Sequence, residues 1–200
     1  VIGRVTDDGM VRVRENGSVV AEVPAAALVE APVYKRKTTR PKYLTKVNQL
    51  NLNQIKQPKD CNRVLRMLLS NPTIASKAWV FKHGDPKVAK DVLLGSGSDA
   101  GVVSVPGTKK AVAVTTDCNS TYCYLDPFNG GAIAVAEAAR NLVCSGAKPL
   151  AVTDGMNFGN PKNPEVFWQF KQAALGISRA CRALNTPVVS GNVSFNNENP

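Results

Sequence analysis

Residues 150–160 read LAVTDGMNFGN, and residues 188–197 read VVSGNVSFNN. In both, a short apolar run gives way to Thr, Asp, Asn, Ser and Gly. A third run, AVAVTTDCN at 111–119, follows the same plan. Each predicts a buried strand that ends in a small polar loop. Glycine there lets a backbone approach a ligand closely. Asp and Asn present hard oxygens to Mg²⁺, and Ser or Thr hydroxyls with free N–H groups can hold phosphate. One such loop is an ordinary strand-to-helix turn. Three of them, separated by helical patterns and lying where α/β sheets bind ligands, predict a nucleotide-phosphate site.

The helix between the first two runs is the clearest local signal. Asn163 can cap it, Pro164 suits its first turn, and the pattern continues to Leu184. Phe167, Phe170, Ala174, Ile177, Cys181 and Leu184 recur three and four residues apart, a single stripe that reads as core rather than site. This helix carries the chain from the Asp154 loop to the strand before Gly191, so the two loops are expected near each other. A second helix pattern covers 133–144 and stops at Gly146, a residue suited to the left-handed position after a helix. On it Glu137 and Asn141 are four apart and share a face. They can reach a metal together, or Glu137 can simply meet Arg140 on a solvated face.

Upstream, 62–69 has helical periodicity and stops at Asn71-Pro72, and 74–81 reads as a second short helix. Residues 99–105 and 110–116 read as strands joined at Pro106-Gly107-Thr108. Residues 1–30 alternate apolar and polar side chains around two turn signals, Asp7-Asp8-Gly9 and Glu15-Asn16-Gly17, and predict a three-strand meander with one wet face. That meander is too small to stand alone and is expected to close a preceding domain.

With 200 residues, 44% hydrophobic and 20% charged, the chain has the composition of a globular protein able to bury a core. No apolar stretch approaches the ~20 residues of a membrane span. The chain opens at Val1-Ile2-Gly3 inside a strand-like stretch and closes at Asn199-Pro200 just past another, with no secretory pattern. A fragment of a larger chain is expected. The five cysteines (61, 118, 123, 144 and 181) form no CxxC pair, which fits a reducing, cytoplasmic setting. The single histidine, His83, sits in a Lys-Gly-Asp-Pro context that reads as a surface turn. A zinc site or a Cys–His or Ser–His–Asp constellation is therefore not expected.

The net charge of +10 is concentrated: between 34 and 66 ten Lys or Arg face one acid, Asp60. With Tyr34 and Tyr43 interleaved, such a run can bind RNA. It carries no RNA-binding motif, however, and Pro41, Pro58 and the Asn/Gln-rich stretch 48–57 read as a connecting segment. The expectation is a basic linker over 31–59, with neither nucleic acid nor membrane as a partner. The excess charge can help attract anionic nucleotides.

At these residues the resemblance to a family becomes specific. The runs GSGSDAGVV, TTDCN, YLDPFNGG, AVAEAARNLVCSGAKPLAVTDGMNFGNP and PVVSGNVSFNN resemble the second nucleotide-binding half of the phosphoribosylformylglycinamidine synthase family. The likeness is greatest to its shorter, bacterial-type synthetase subunit, and covers 60–200. Residues 1–30 resemble the end of the first half, and 31–59 its linker. TDGMNFGNP departs from the more familiar TDCLNFGNP of the family at positions that carry no ligand.

The resemblance implies an α+β fold: a mixed sheet with packed helices, in a nucleotide-binding domain of the aminoimidazole ribonucleotide synthase type. Periodicity alone, with strands alternating with helices, suggests a parallel α/β sheet instead, but it does not fix strand direction. The implied activity is an ATP-dependent C–N ligase of purine biosynthesis. The amide oxygen of formylglycinamide ribonucleotide is phosphorylated, and ammonia displaces phosphate to give the amidine. Ammonia comes from glutamine through a glutaminase subunit, joined by a small accessory subunit. ATP and Mg²⁺ are the implied cofactors.

By motif position, Asp154 and Gly191 contact ATP, Asn192 holds Mg²⁺, and Ser194 touches the ribonucleotide. In larger members of the family Asp99, Glu137 and Asn141 ligate the metal of an auxiliary nucleotide. The family's catalytic histidine belongs to its first half, so no catalytic residue is expected in this stretch, and this stretch alone is expected to be inactive. The alternatives are another enzyme of the same ATP-binding superfamily, against which the TDGMNFGNP run counts, and a basic RNA-binding or structural module.

Overall fold

The computed structural model describes residues 2–30, 32–81 and 90–198, and the chain divides into two compact units, Val1–Arg36 and Lys37–Pro200. His83 lies outside the described residues.

In the first unit, β1 (Met10–Glu15) and β2 (Ser18–Pro24) form an antiparallel hairpin. Its turn is Asn16-Gly17, both at positive φ (49° and 84°), the geometry that matches strand twist in a tight hairpin. Arg12 is the register partner of Glu22, and its Nε donates to Glu22 Oε1 at 2.8 Å. A short helix, α1 (Ala25–Val29), follows. The expected third strand is absent from residues 2–9. Asp8 instead turns the chain, accepting from the Thr6 hydroxyl at 2.9 Å and the Met10 N–H at 3.2 Å, and residues 2–9 form no strand beside β1.

The second unit begins within the basic segment, part of which is packed rather than solvated. In α2 (Tyr43–Val47), Leu44 is buried, as is Pro41 just before it. The Tyr43 ring stacks on Tyr124 with centroids 4.3 Å apart. Its hydroxyl donates to the Tyr124 carbonyl at 2.6 Å and accepts from Gln169 Nε2 at 2.8 Å. Then come a 3₁₀ turn at Leu52–Gln54, α3 (Cys61–Ser70), which Asp60 caps by accepting from the Arg63 N–H, and α4 (Ala78–Phe81). Of the 74–81 stretch only the last turn is helical, because the Asn71 side chain and carbonyl hold 73–75 in a turn.

Strands β3 (Val92–Leu94), β4 (Gly101–Ser104) and β5 (Ala111–Val114) make an antiparallel sheet in sequence order. After α5 (Ser120–Leu125) comes α6 (Pro127–Cys144), then β6 (Val152–Asn157), α7 (Pro164–Leu184) and β7 (Val188–Ser194). β6 and β7 pair in parallel, joined by α7 as the crossover. Both pairing senses are thus present, as an α+β fold requires, in separate ladders.

α6 starts six residues before its expected start at 133. The glycines that read as loop are there for packing. A Cβ on Gly131 would lie 2.5 Å from the Ala173 carbonyl oxygen, and one on Gly176 would overlap the Phe128 carbonyl. A Cβ on Gly130 would likewise lie 2.5 Å from the Cys123 backbone. The two long helices cross backbone to backbone, with Val135, Ala173 and Cys181 buried among them. Asp126 supplies the cap by accepting from the Asn129 N–H at 3.0 Å. α7 runs as its pattern predicts, from the Asn163 cap to Asn185, which takes the left-handed conformation (φ 53°).

Candidate nucleotide and metal site

The parallel ladder brings the sequence-predicted residues together. Its register pairs Asp154 with Gly191, Gly155 with Asn192, and Asn157 with Ser194. Side chains alternate across a strand. Along β6 the odd-numbered residues Thr153, Gly155 and Asn157 are exposed, while Val152, Asp154 and Met156 are half-buried or buried. The ladder therefore has two different faces.

One face carries Asp154 and Gly191. The two are so close that a Cβ on Gly191 would overlap the Asp154 carboxylate. Only glycine allows that carboxylate its place, and the bare backbone of residue 191 is left exposed beside it. The opposite face is a strip of small polar residues: Thr153 with Ser190, Gly155 with Asn192, Asn157 with Ser194. None of these is acidic, so the strip offers hydroxyls and amides to an anion without repelling it.

Asp154 and Gly191 are neighbours as the α7 crossover leads one to expect, but they lie within β6 and β7 rather than in loops beyond buried strands; the segments that follow the two strands are tied together as well. Phe158 N–H donates to the Ser194 carbonyl at 2.9 Å, Asn197 N–H to the Phe158 carbonyl at 3.2 Å, and Asn160 N–H to Glu198 Oε1 at 2.6 Å. Beneath them Phe170 packs edge-on against Phe158 and Phe195. The strand ends are thus anchored on α7.

The donor set fits a magnesium-bound nucleotide. Mg²⁺ keeps several waters and takes one or two protein oxygens plus phosphate oxygens. An exposed Asn192 carbonyl amid hydroxyls supplies that and no more. Among the described residues no three His, Cys, Asp or Glu converge into a metal-binding group, so an all-protein cage is not what this site builds.

The second predicted group is arranged differently from its spacing. Asn141 Nδ2 donates to Asp117 Oδ1 at 2.7 Å, and the Thr115 hydroxyl donates to Asp117 Oδ2 at 2.7 Å. The same hydroxyl oxygen lies 3.3 Å from the Asp99 carbonyl oxygen. Asp99, Glu137 and Asp117 form no three-ligand group, and the Asn141 amide nitrogen is committed to Asp117. Spacing on α6 missed Asp117. Its only sequence signal is its place in the TTDCN run just beyond β5.

A cavity of about 490 Å³ opens on the Asp154 face, between β6, the start of β7 and the second half of α7. Burial pushes the Cys181 thiol lining it above its ordinary pKa, an effect the neighbouring Thr186 hydroxyl partly offsets. Among the described residues no helix is long and apolar enough to cross a membrane.

Residues 97–200 match the family described as AIR synthase related protein, N-terminal domain. The chain is 58% identical over 199 residues to phosphoribosylformylglycinamidine synthase subunit PurL of Moorella thermoacetica, covering 99% of this chain and 27% of the relative. Among solved structures, PurLQS from Thermotoga maritima superposes with a TM-score of 0.68 at 24% identity, covering 97% of this chain and 29% of that one. T. maritima PurL complexed with ADP superposes with a TM-score of 0.63 at 25% identity, covering 94% and 29%. The chain spans about a quarter of the length of the curated relatives it matches.

Proposed function

We propose that this chain, which belongs to the AIR synthase related proteins, is the second nucleotide-binding part of an ATP-dependent, amidine-forming ligase of purine biosynthesis. The observation that carries the reading is the two-faced β6–β7 ladder, with Asp154 and Gly191 on one side and Asn192 and Ser194 on the other. The name and high identity of the Moorella relative support it.

In this reading Asp154 and the bare backbone at Gly191 position ATP, Asn192 holds Mg²⁺, and Ser194 touches the ribonucleotide. Mg²⁺ supplies charge neutralisation on the transferred phosphoryl group. Phosphoryl transfer needs positioning and electrostatic stabilisation more than covalent catalysis, and the neutral strip provides both without a nucleophile. Ser194, two residues beyond Asn192 on the same face, orients the ribonucleotide toward the phosphate. Asp99, Glu137 and Asn141 are retained as candidates for an auxiliary nucleotide, with Asp117 added as the group that fixes the Asn141 amide.

The domain reading belongs to the same proposal. Residues 1–30 close a preceding domain, 31–59 connect, and 60–200 form the nucleotide-binding domain in a cytoplasmic complex with a glutaminase and a small accessory subunit. The test is amidine formation by the full-length enzyme from formylglycinamide ribonucleotide, ATP, Mg²⁺ and ammonia. ADP release that depends on the ribonucleotide is expected. ADP release indifferent to it contradicts the reading.

A further inference from the structure

We infer that Glu198 is a positioning residue for the ribonucleotide contact: its carboxylate latches the segment after β7 onto the residues that lead into α7, and so fixes Ser194. This rests on the reading of Ser194 given above and adds the group that holds it in place.

The geometry starts where the two strands end. Phe158 N–H donates to the Ser194 carbonyl at 2.9 Å, and Asn197 N–H donates to the Phe158 carbonyl at 3.2 Å. Two residues beyond Phe158, Asn160 N–H donates to a side chain, Glu198 Oε1, at 2.6 Å. An amide bonded to a carboxylate makes a roughly twofold stronger contact than one between neutral groups. Asn160 is itself fixed on its other side. Its Oδ1 accepts from the Lys162 N–H at 2.9 Å, its carbonyl accepts from the Asn163 N–H at 3.0 Å, and Asn163 caps α7. The latch therefore ties the exit of β7 to the start of α7. Ser194 lies between that tie and the ladder.

Gly159 is a second, independent sign. Its φ lies outside the left-handed region, so its backbone does not call for glycine. What forbids a side chain there is Glu198. A Cβ on Gly159 would lie 2.5 Å from Oε1 and 2.8 Å from Cγ of Glu198. The space at residue 159 is the seat of the Glu198 side chain.

A metal role for this carboxylate lacks partners, since among the described residues no three His, Cys, Asp or Glu converge. Its charge would repel a ribonucleotide phosphate. The property that serves the site is the acceptor oxygen, and an amide can supply that too.

The test is steady-state kinetics of the full-length enzyme with the ribonucleotide, Mg²⁺-ATP and ammonia varied in turn. Glu198→Ala is expected to raise the ribonucleotide KM roughly three- to tenfold. Its kcat, ATP KM and melting temperature are expected near wild type, because Gly191 and Asn192 stay paired with β6 and Glu198 is exposed. Glu198→Gln, which keeps an acceptor oxygen, is expected to restore the KM. Gly159→Ala, which pushes the carboxylate from its seat, is expected to raise the same KM on its own and to add nothing to Glu198→Ala. Residues that act independently would give additive effects instead. Equal losses in Glu198→Gln and Glu198→Ala, additive losses in the double variant, or a matching fall in kcat or rise in ATP KM overturns the inference. So does a ribonucleotide KM that Ser194→Ala raises and Glu198→Ala leaves unchanged; the reading of Ser194 then stands. A KM indifferent to Ser194→Ala overturns both.

Discussion

Asp154 and Gly191 are register partners on adjacent parallel strands, and the carboxylate of the first occupies the space where a side chain on the second would begin. Gly191→Ala must therefore swing the carboxylate away. Nucleotide affinity is expected to fall by about 1.5–3 kcal/mol, the worth of a hydrogen bond to a charged group. Asp154→Asn, which keeps the shape, is expected to lose a similar amount with Gly191 intact. Calorimetric titration of both variants checks this; unchanged affinity in Gly191→Ala contradicts it.

Ser194 shares the polar strip with Asn192 and faces Asn157. Ser194→Ala is expected to raise the ribonucleotide KM by roughly 1–2 kcal/mol with little change in kcat, the signature of binding lost equally in ground and transition states. Steady-state kinetics decide it. A fall in kcat at constant KM would place Ser194 in the chemical step instead.

The α6–α7 crossing depends on two glycines. In Gly176→Ala the new methyl meets the Phe128 carbonyl, which cannot move without α6. Overpacking of this kind costs about 1–3 kcal/mol, and a melting temperature several degrees lower is expected. An unchanged melting curve would show that the helices have room to part.

How much of this was legible in the sequence depended on whether the signal was local. α7 was readable to the residue because its cap, its proline and its stripe lie on one element. The polar runs marked the ladder residues, but as loops beyond buried strands; they lie instead within β6 and the largely exposed β7, because parallel pairing through backbone groups accepts small polar side chains that periodicity reads as a strand end. The start of α6 was not readable, since Gly130 and Gly131 look like loop until Cys123 and Ala173 are seen against them. Asp117 and Asn141 are 24 residues apart and meet only in the fold. The docking of Tyr43 on Tyr124 was likewise hidden, because a basic, Asn/Gln-rich segment gives no sign that one aromatic ring finds a partner 81 residues on. The contact of Glu198 with Asn160, 38 residues earlier, was missed for the same reason.

Cys123 supplies a pH prediction. Burial, with the Cys118 thiol beside it adding to the effect, pushes its pKa up to about 11. Against an unfolded value of about 8.5, the folded state favours the neutral thiol. The stabilisation is full below about pH 8.5 and is lost as pH rises through about 11. Unfolding stability is expected to fall over that window, and to fall less in Cys123→Ala. Iodoacetamide at about pH 8 is expected to modify exposed Cys61 and Cys144 well before Cys123. Equal rates would contradict the shift.

The central claim is that the outward strip of the β6–β7 ladder holds Mg²⁺ and phosphate, and its most direct test is the Mg²⁺ dependence of turnover in Asn192→Leu of the full-length enzyme. Leucine nearly keeps the size of asparagine and removes its oxygen, and residue 192 is exposed, so thermal stability is expected to change little. Turnover is expected to fall ~10²–10³-fold, the usual loss for one contact to a developing phosphoryl charge, with a raised Mg²⁺ requirement. Wild-type turnover and Mg²⁺ dependence in this variant would contradict the account.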